Sequence, residues 1–140
     1  MDSDDFVKDP AALAELAREY DLALVILFGS RATGHTHPES DTDIGVLRRD
    51  GLLPSNDFLQ LQFRLSQVIA SSNVEMVDLR RASGLLKHAA AEGAVVLFES
   101  GPGVFSNFRS LAWGIYHDEI YDFRRYDTAY IRRAMEALKQ

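Results

Sequence analysis

Seven apolar residues in a row, Leu22-Ala23-Leu24-Val25-Ile26-Leu27-Phe28, form the strongest feature of the chain. The run is too short for a helix and stops at Gly29, so it predicts a buried strand. Before it, Leu13, Leu16, Ala17 and Tyr20 repeat at helical spacing. Asp9 stands as a cap and Pro10 in the first turn, which predicts a helix over 10–20. After it, Gly29 to Gly34 reads as a turn opening at most one or two helical turns, and His35 to Ser40 as a loop broken by Pro38. Asp41 to Leu47 predicts a second strand. Ser55 or Asn56 then offers a cap for a helix to about Ala70, with Phe58, Leu61, Leu65, Val68 and Ile69 on one face. Val74 to Leu79 predicts a third strand, Ser83 to Glu92 a helix stopped by Gly93, and Ala94 to Phe98 a fourth strand. Beyond Gly101-Pro102-Gly103, apolar positions from Phe105 to Leu138 keep helical spacing, in one long helix or two. The pattern is that of an α/β (α+β) domain, with a small sheet flanked by helices and a helical C-terminal tail. No repeat, low-complexity tract or linker interrupts it. Residues 1–140 therefore read as a single domain, with a core over about 10–100 and the tail over about 104–140.

Composition narrows the function classes. The chain has 140 residues, enough to bury a core without disulfides or a structural metal. It has no cysteine, which excludes a disulfide scaffold, a thiolate zinc or iron–sulfur site and a thiol nucleophile. The acidic start, Met1 to Pro10, is unlike a secretory signal, and the seven-residue apolar run falls far short of a membrane span. A cytoplasmic protein with no membrane contact is the expectation. Lys and Arg number 15 against 21 acidic residues, a net charge of -6, which argues against extended contact with nucleic acid. The acidity lies in residues 1–103, at net -7, whereas residues 104–140 carry net +1.

Candidate chemistry concentrates in Leu27-Phe28-Gly29-Ser30-Arg31 and Ser40-Asp41-Thr42-Asp43-Ile44. Residues two apart on a strand share a face, so Asp41 and Asp43 point together while Thr42, Ile44 and Val46 face the other way. Adjacent carboxylates repel unless one is protonated or a cation sits between them. A pair of divalent metals would use both and suits in-line phosphoryl chemistry. Oxygen-only ligation favours Mg²⁺ or Mn²⁺. At Gly29-Ser30 the backbone can approach a phosphate closely, the Ser30 hydroxyl can donate to it, and Arg31 can neutralise one charge. A third carboxylate is offered by Val74-Glu75-Met76-Val77-Asp78-Leu79. Glu75 and Asp78 face opposite sides of a regular strand, so only one of them can join the pair.

Gly-Ser, ten residues, then Asp-x-Asp resembles the signature of the DNA polymerase β-like nucleotidyltransferase superfamily. The short length, with Val74 to Ala82 and Glu92 to Phe98, is similar to its minimal nucleotidyltransferase (MNT) branch, and there to the MntA-type antitoxins of HEPN/MNT toxin–antitoxin systems. The resemblance covers most of residues 20–100 and, more loosely, the tail. It implies the small mixed sheet of that fold. It also implies transfer of AMP from Mg²⁺-ATP to a tyrosine hydroxyl of a partner HEPN RNase toxin, with pyrophosphate released, the toxin neutralised and a hetero-oligomer formed. By position Asp41 and Asp43 would hold two metals, Gly29, Ser30 and Arg31 the triphosphate, and Glu75 the metal that activates the acceptor. This chain departs from the family pattern in carrying Glu at 75 where Asp is usual, and Asp78 is the reserve candidate.

Two other readings stay open. A small-molecule nucleotidyltransferase of the aminoglycoside type usually carries an extra domain for which 140 residues leave little room. A catalytically idle antitoxin would block its partner by binding alone. His35 and His37 read as loop residues that could hold a metal, touch the nucleotide or line the acceptor entrance, and His88 and His117 as surface or partly buried helix residues. In the tail, Trp113, Tyr116, Tyr121, Tyr126, Tyr130, Arg124-Arg125 and Arg132-Arg133 offer either a packed face or a partner surface.

Overall fold

A computed structural model describes residues 5–29, 42–69, 71 and 73–138, the side chains of 121–131, 134 and 138 excepted. The elements run in the order α1 (Pro10–Glu19), β1 (Leu22–Phe28), β2 (Thr42–Arg48), α2 (Ser55–Val68), β3 (Val74–Asp78), α3 (Gly84–Ala91), β4 (Val95–Glu99) and α4 (Val104–Leu138). The tail is one helix of 35 residues rather than two. Asp9 caps α1 by accepting from the N–H groups of Ala11 and Ala12, and Ser83 caps α3 by accepting from Leu86. At α2 the expected cap is absent. Pro54 holds the cap position with no side-chain hydrogen bond, and Ser55 is already helical.

The four strands form one mixed sheet in the order β3-β2-β1-β4. β1 pairs antiparallel with β2 and β4, and β2 pairs parallel with β3 across the α2 crossover. Both edges are blunted. At β3 the Met76 N–H donates to the side chain of Gln62 at 3.4 Å. At β4 the register skips Leu97 between Phe98 and Val96, a bulge that twists the edge away from regular pairing.

Strand alternation divides the core in two. Val25, Leu27, Ile44, Val46 and Met76 pack beneath α1 and α2 with Leu13, Leu16, Leu61 and Leu65. Leu24, Ile26 and Phe28 face α3 and α4 with Ala90, Ala91, Phe108 and Ala112. That double covering explains why β1 shows no polar alternation. Gly45 lies on the second face, where a Cβ would come within 2.8 Å of the Leu79 side chain. Its absence lets Leu79 lie flat on the sheet. Among the described residues no helix is long and apolar enough to cross a membrane.

The α1–α2 seam carries a polar clamp. Tyr20 donates from its hydroxyl to Gln60 at 2.6 Å and accepts from Arg64 at 3.3 Å, while Arg64 meets Glu19 at 2.8 Å. The Arg64 hydrogen bond holds the Glu19 carboxyl below its usual range. A lowered folded-state value means that the clamp adds stability above the ordinary carboxylate pKa and loses it as pH falls through the lowered one. Glu19→Gln should therefore narrow its stability gap to the wild type as pH falls through the acid range, read by urea melts at each pH. Leu65→Ala, at a fully buried position, should cost about 2–5 kcal/mol, whereas Leu59→Ala, at 69% exposure, should stay within about 0.5 kcal/mol in the same assay.

Candidate active site

At one end of the sheet β1 finishes while β2 and β3 begin. Phe28 is the register partner of Asp43, and Asp43 that of Glu75. Register partners on neighbouring strands project to the same face, so two carboxylates stand side by side next to the last residue of β1. The flanking residues identify that face. Phe28 belongs to the core beneath α3 and α4, whereas Ile44 and Met76, one residue beyond each carboxylate, are buried beneath α1 and α2. Asp43 is half-buried and Glu75 exposed.

Thr42 sets this register. It is 1% exposed, its hydroxyl donates to Ser71 at 2.6 Å, and its N–H donates to the Asn73 carbonyl at 2.7 Å. The start of β2, one residue before Asp43, is thereby tied to the segment that leads into β3. A hydroxyl-bearing β-branched residue between two aspartates was the available sequence signal for this anchor, which the motif alone does not explain.

Gly29 follows β1 with φ +77°, in the left-handed region that glycine enters without strain. A Cβ at this position would run into Oδ2 of Asp43. The turn after β1 therefore passes directly against the carboxylate, and only a residue without a side chain fits there. Ser30, Arg31 and Asp41 lie outside the described residues, as do His35 and His37.

Asp78 stands apart from this group. It sits opposite Val46 at the far end of β3, 4% exposed. Its Oδ2 accepts from the Leu53 N–H at 3.1 Å, its Oδ1 accepts from the Arg80 N–H at 3.0 Å, and Arg81 lies 3.8 Å away. This carboxylate ties the β2–α2 connection to the end of β3. Of the two candidates on the third strand, Glu75 shares the face of Asp43 and Asp78 does not.

His88 and His117 also have structural surroundings. The His88 ring stacks on Tyr116 at 4.2 Å and joins α3 to α4, and His117 lies 4.0 Å from Trp113. Arg132 and Arg133 are exposed, whereas the side chains of Tyr121, Arg124, Arg125, Tyr126 and Tyr130 lie outside the described residues.

Carboxylates facing each other on adjacent strands cost stability unless a cation lies between them. Two hard oxygen donors beside a glycine turn suit Mg²⁺ or Mn²⁺ rather than a thiophilic metal. Among the described residues Asp43 and Glu75 are two such donors, and no group of three His, Asp or Glu that could hold a metal is found.

The two acidic positions of β3 should separate in a stability assay. Asp78→Ala strands the buried N–H of Leu53 and should cost about 1–3 kcal/mol in urea unfolding. Glu75→Gln, at an exposed position that faces another carboxylate, should stay within about 0.5 kcal/mol of the wild type.

Over 96 residues the chain is 32% identical to a protein adenylyltransferase MntA of Aphanizomenon flos-aquae (strain 2012/KM1/D3), covering 63% of this chain and 64% of that one. Over 68 residues it is 44% identical to a protein adenylyltransferase MntA of Shewanella oneidensis, covering 46% of this chain and 45% of that one. The chain thus spans less than two thirds of the length of these curated relatives. A crystal structure of a toxin–antitoxin with AMP-PNP superposes with a TM-score of 0.70 at 27% identity, over 91% of this chain and 98% of that one. A tri-AMPylated Shewanella oneidensis HEPN toxin in complex with MNT antitoxin gives a TM-score of 0.64 at 25% identity, over 90% and 95%. The model of the polymerase beta nucleotidyltransferase family matches residues 12–102, which take in Gly29 and all four strands, and the chain belongs to that family.

Proposed function

We propose that this protein is an antitoxin that transfers AMP from Mg²⁺-ATP to a tyrosine hydroxyl of a HEPN-type RNase toxin and so silences it. The observation that carries the reading is the pairing of Asp43 with Glu75 beside Gly29 on one face of the sheet. Its support is the family membership, together with the likeness to proteins called adenylyltransferases and to a toxin–antitoxin structure with AMP-PNP.

In this reading Gly29 lets the backbone approach the triphosphate, and Ser30 and Arg31 donate to its oxygens. Asp41, Asp43 and Glu75 would hold the magnesium, which supplies charge neutralisation at the phosphates and lowers the pKa of the acceptor hydroxyl. The acceptor oxygen forms a bond to the α-phosphorus, the bond from that phosphorus to the bridging oxygen breaks, and pyrophosphate leaves. Glu75, the exposed member of the pair, takes the hydroxyl proton. Its side chain is one methylene longer than the aspartate usual in the family. It therefore reaches the acceptor from a β-carbon set back by about 1.5 Å.

The idle-antitoxin reading makes the opposite forecast for the same variants. Intact-mass spectrometry of the toxin after incubation with Mg²⁺-ATP separates the two. Asp43→Asn should abolish AMP addition, and Glu75→Gln should slow it by about 10²–10⁴-fold, as for loss of a general base. A toxin unchanged in mass yet inhibited by the wild type and both variants would leave binding alone as the mode of action.

A further inference from the structure

The sheet face that carries Asp43 and Glu75 has a concavity at its other end. A groove of about 380 Å³ opens between the ends of β2 and β3 and the first turns of α4. Its floor is apolar, with Leu47 and the 7%-exposed Phe108. Its wall presents Leu111 at 67% exposure and Ile115 at 38%, four residues apart on one stripe of α4. Its rim carries Arg80 and Lys87.

Among the described residues neither of these cations has a carboxylate partner. Arg80 uses Nη2 to donate to the backbone carbonyls of Arg48 at 2.8 Å and Arg49 at 3.3 Å, so its head is held in place at the rim. Arg48 donates to the Leu52 carbonyl at 3.1 Å. Among the described residues no carboxylate lies within 4.0 Å of Arg48, Arg80 or Lys87. Arg49 meets Asp21 only at 3.8 Å, and Arg81 meets the buried Asp78 at 3.8 Å. In a chain of net charge -6 this is a local reversal of sign. An apolar trough with a positive rim is complementary to a helix that carries an aliphatic ridge flanked by carboxylates. It is a poor match to a single-stranded nucleic acid, which needs exposed aromatic platforms that this groove lacks.

We infer that this groove docks an acidic amphipathic helix of the protein that accepts the AMP, an assignment of the acceptor that rests on the transferase reading above. Leu47 lies four residues beyond Asp43 on the same face of β2, a separation of about 13 Å along the strand. Between them Gly45 and the fully buried Leu79 belong to the packed core, which fixes the groove and the carboxylates on one rigid strand. A helix anchored in the groove holds its own protein within reach of the carboxylates, which raises the local concentration of the acceptor hydroxyl.

The experiment measures the affinity of purified HEPN toxin for wild type, Lys87→Glu, Arg80→Glu and Leu111→Ser by titration calorimetry at low and high salt, with AMP transfer by the wild type followed in parallel. Each variant should bind about tenfold or more weakly, and the wild-type affinity should fall with salt while that of Lys87→Glu falls less. Leu111→Ser, at an exposed position, keeps the test valid if Arg80→Glu fails to fold. Unchanged affinity in Lys87→Glu and Leu111→Ser would overturn the docking site. So would a loss confined to self-association or RNA binding. A wild type that binds toxin through the groove yet transfers no AMP would remove the transferase reading and leave the groove. A wild type that transfers AMP while the groove variants bind normally would remove the groove alone.

Discussion

Everything at the candidate site depends on the parallel pairing of β2 with β3. That pairing sets two carboxylates against one another, an arrangement that like-charge repulsion opposes. It is held by what lies on either side of it. On one side, Thr42 is bonded through both its hydroxyl and its N–H to the segment that leads into β3. On the other, Ile44 and Met76 are buried in the core beneath α1 and α2, so a slip of one residue would expose both of them and bury the acids. Hydrophobic burial thus stabilises an electrostatically unfavourable register.

The two faces of the sheet divide the labour. Beneath α1 and α2 lies most of the large aliphatic core, closed at its seam by the Tyr20–Gln60–Arg64–Glu19 clamp. The other face is covered by smaller residues, Ala90, Ala91 and Ala112, with Phe108. There the small side chains of α3 and α4 pack against Leu24, Ile26 and Phe28. Glu119 extends this economy by accepting from the Gly84 N–H at 3.2 Å, so a side chain from the long helix caps the start of α3. Both the carboxylate pair and the cation-rimmed groove belong to this second face.

Much of this was legible in the chain. The apolar run of β1, the glycine after it, the alternation that turns Asp43 away from Thr42 and Ile44, and the caps Asp9 and Ser83 follow from local rules of period and capping. What stayed hidden is non-local. The sequence does not show that β2 and β3 run parallel, and the choice between Glu75 and Asp78 hangs on that register. Nor does Asp78 advertise that its oxygens serve Leu53 and Arg80, since a buried structural carboxylate and a metal ligand look alike in a one-dimensional pattern. The helical spacing of the tail fixes its secondary structure but not its neighbours. His88 and His117 read as surface or partly buried helix residues, and what the pattern does not show is that His88 meets Tyr116 across α3 and α4.

The strand order β3-β2-β1-β4 has a consequence for the chain as it leaves the ribosome. β1 is central and apolar on both faces, yet one of its two neighbours, β4, is not synthesised until residue 95. For most of translation one edge of the most hydrophobic strand has no partner, and a chain stopped before β4 would keep that edge permanently. Interrupted synthesis of this protein therefore yields a sticky fragment and not a smaller working copy, so its supply depends on complete translation as well as on transcript level.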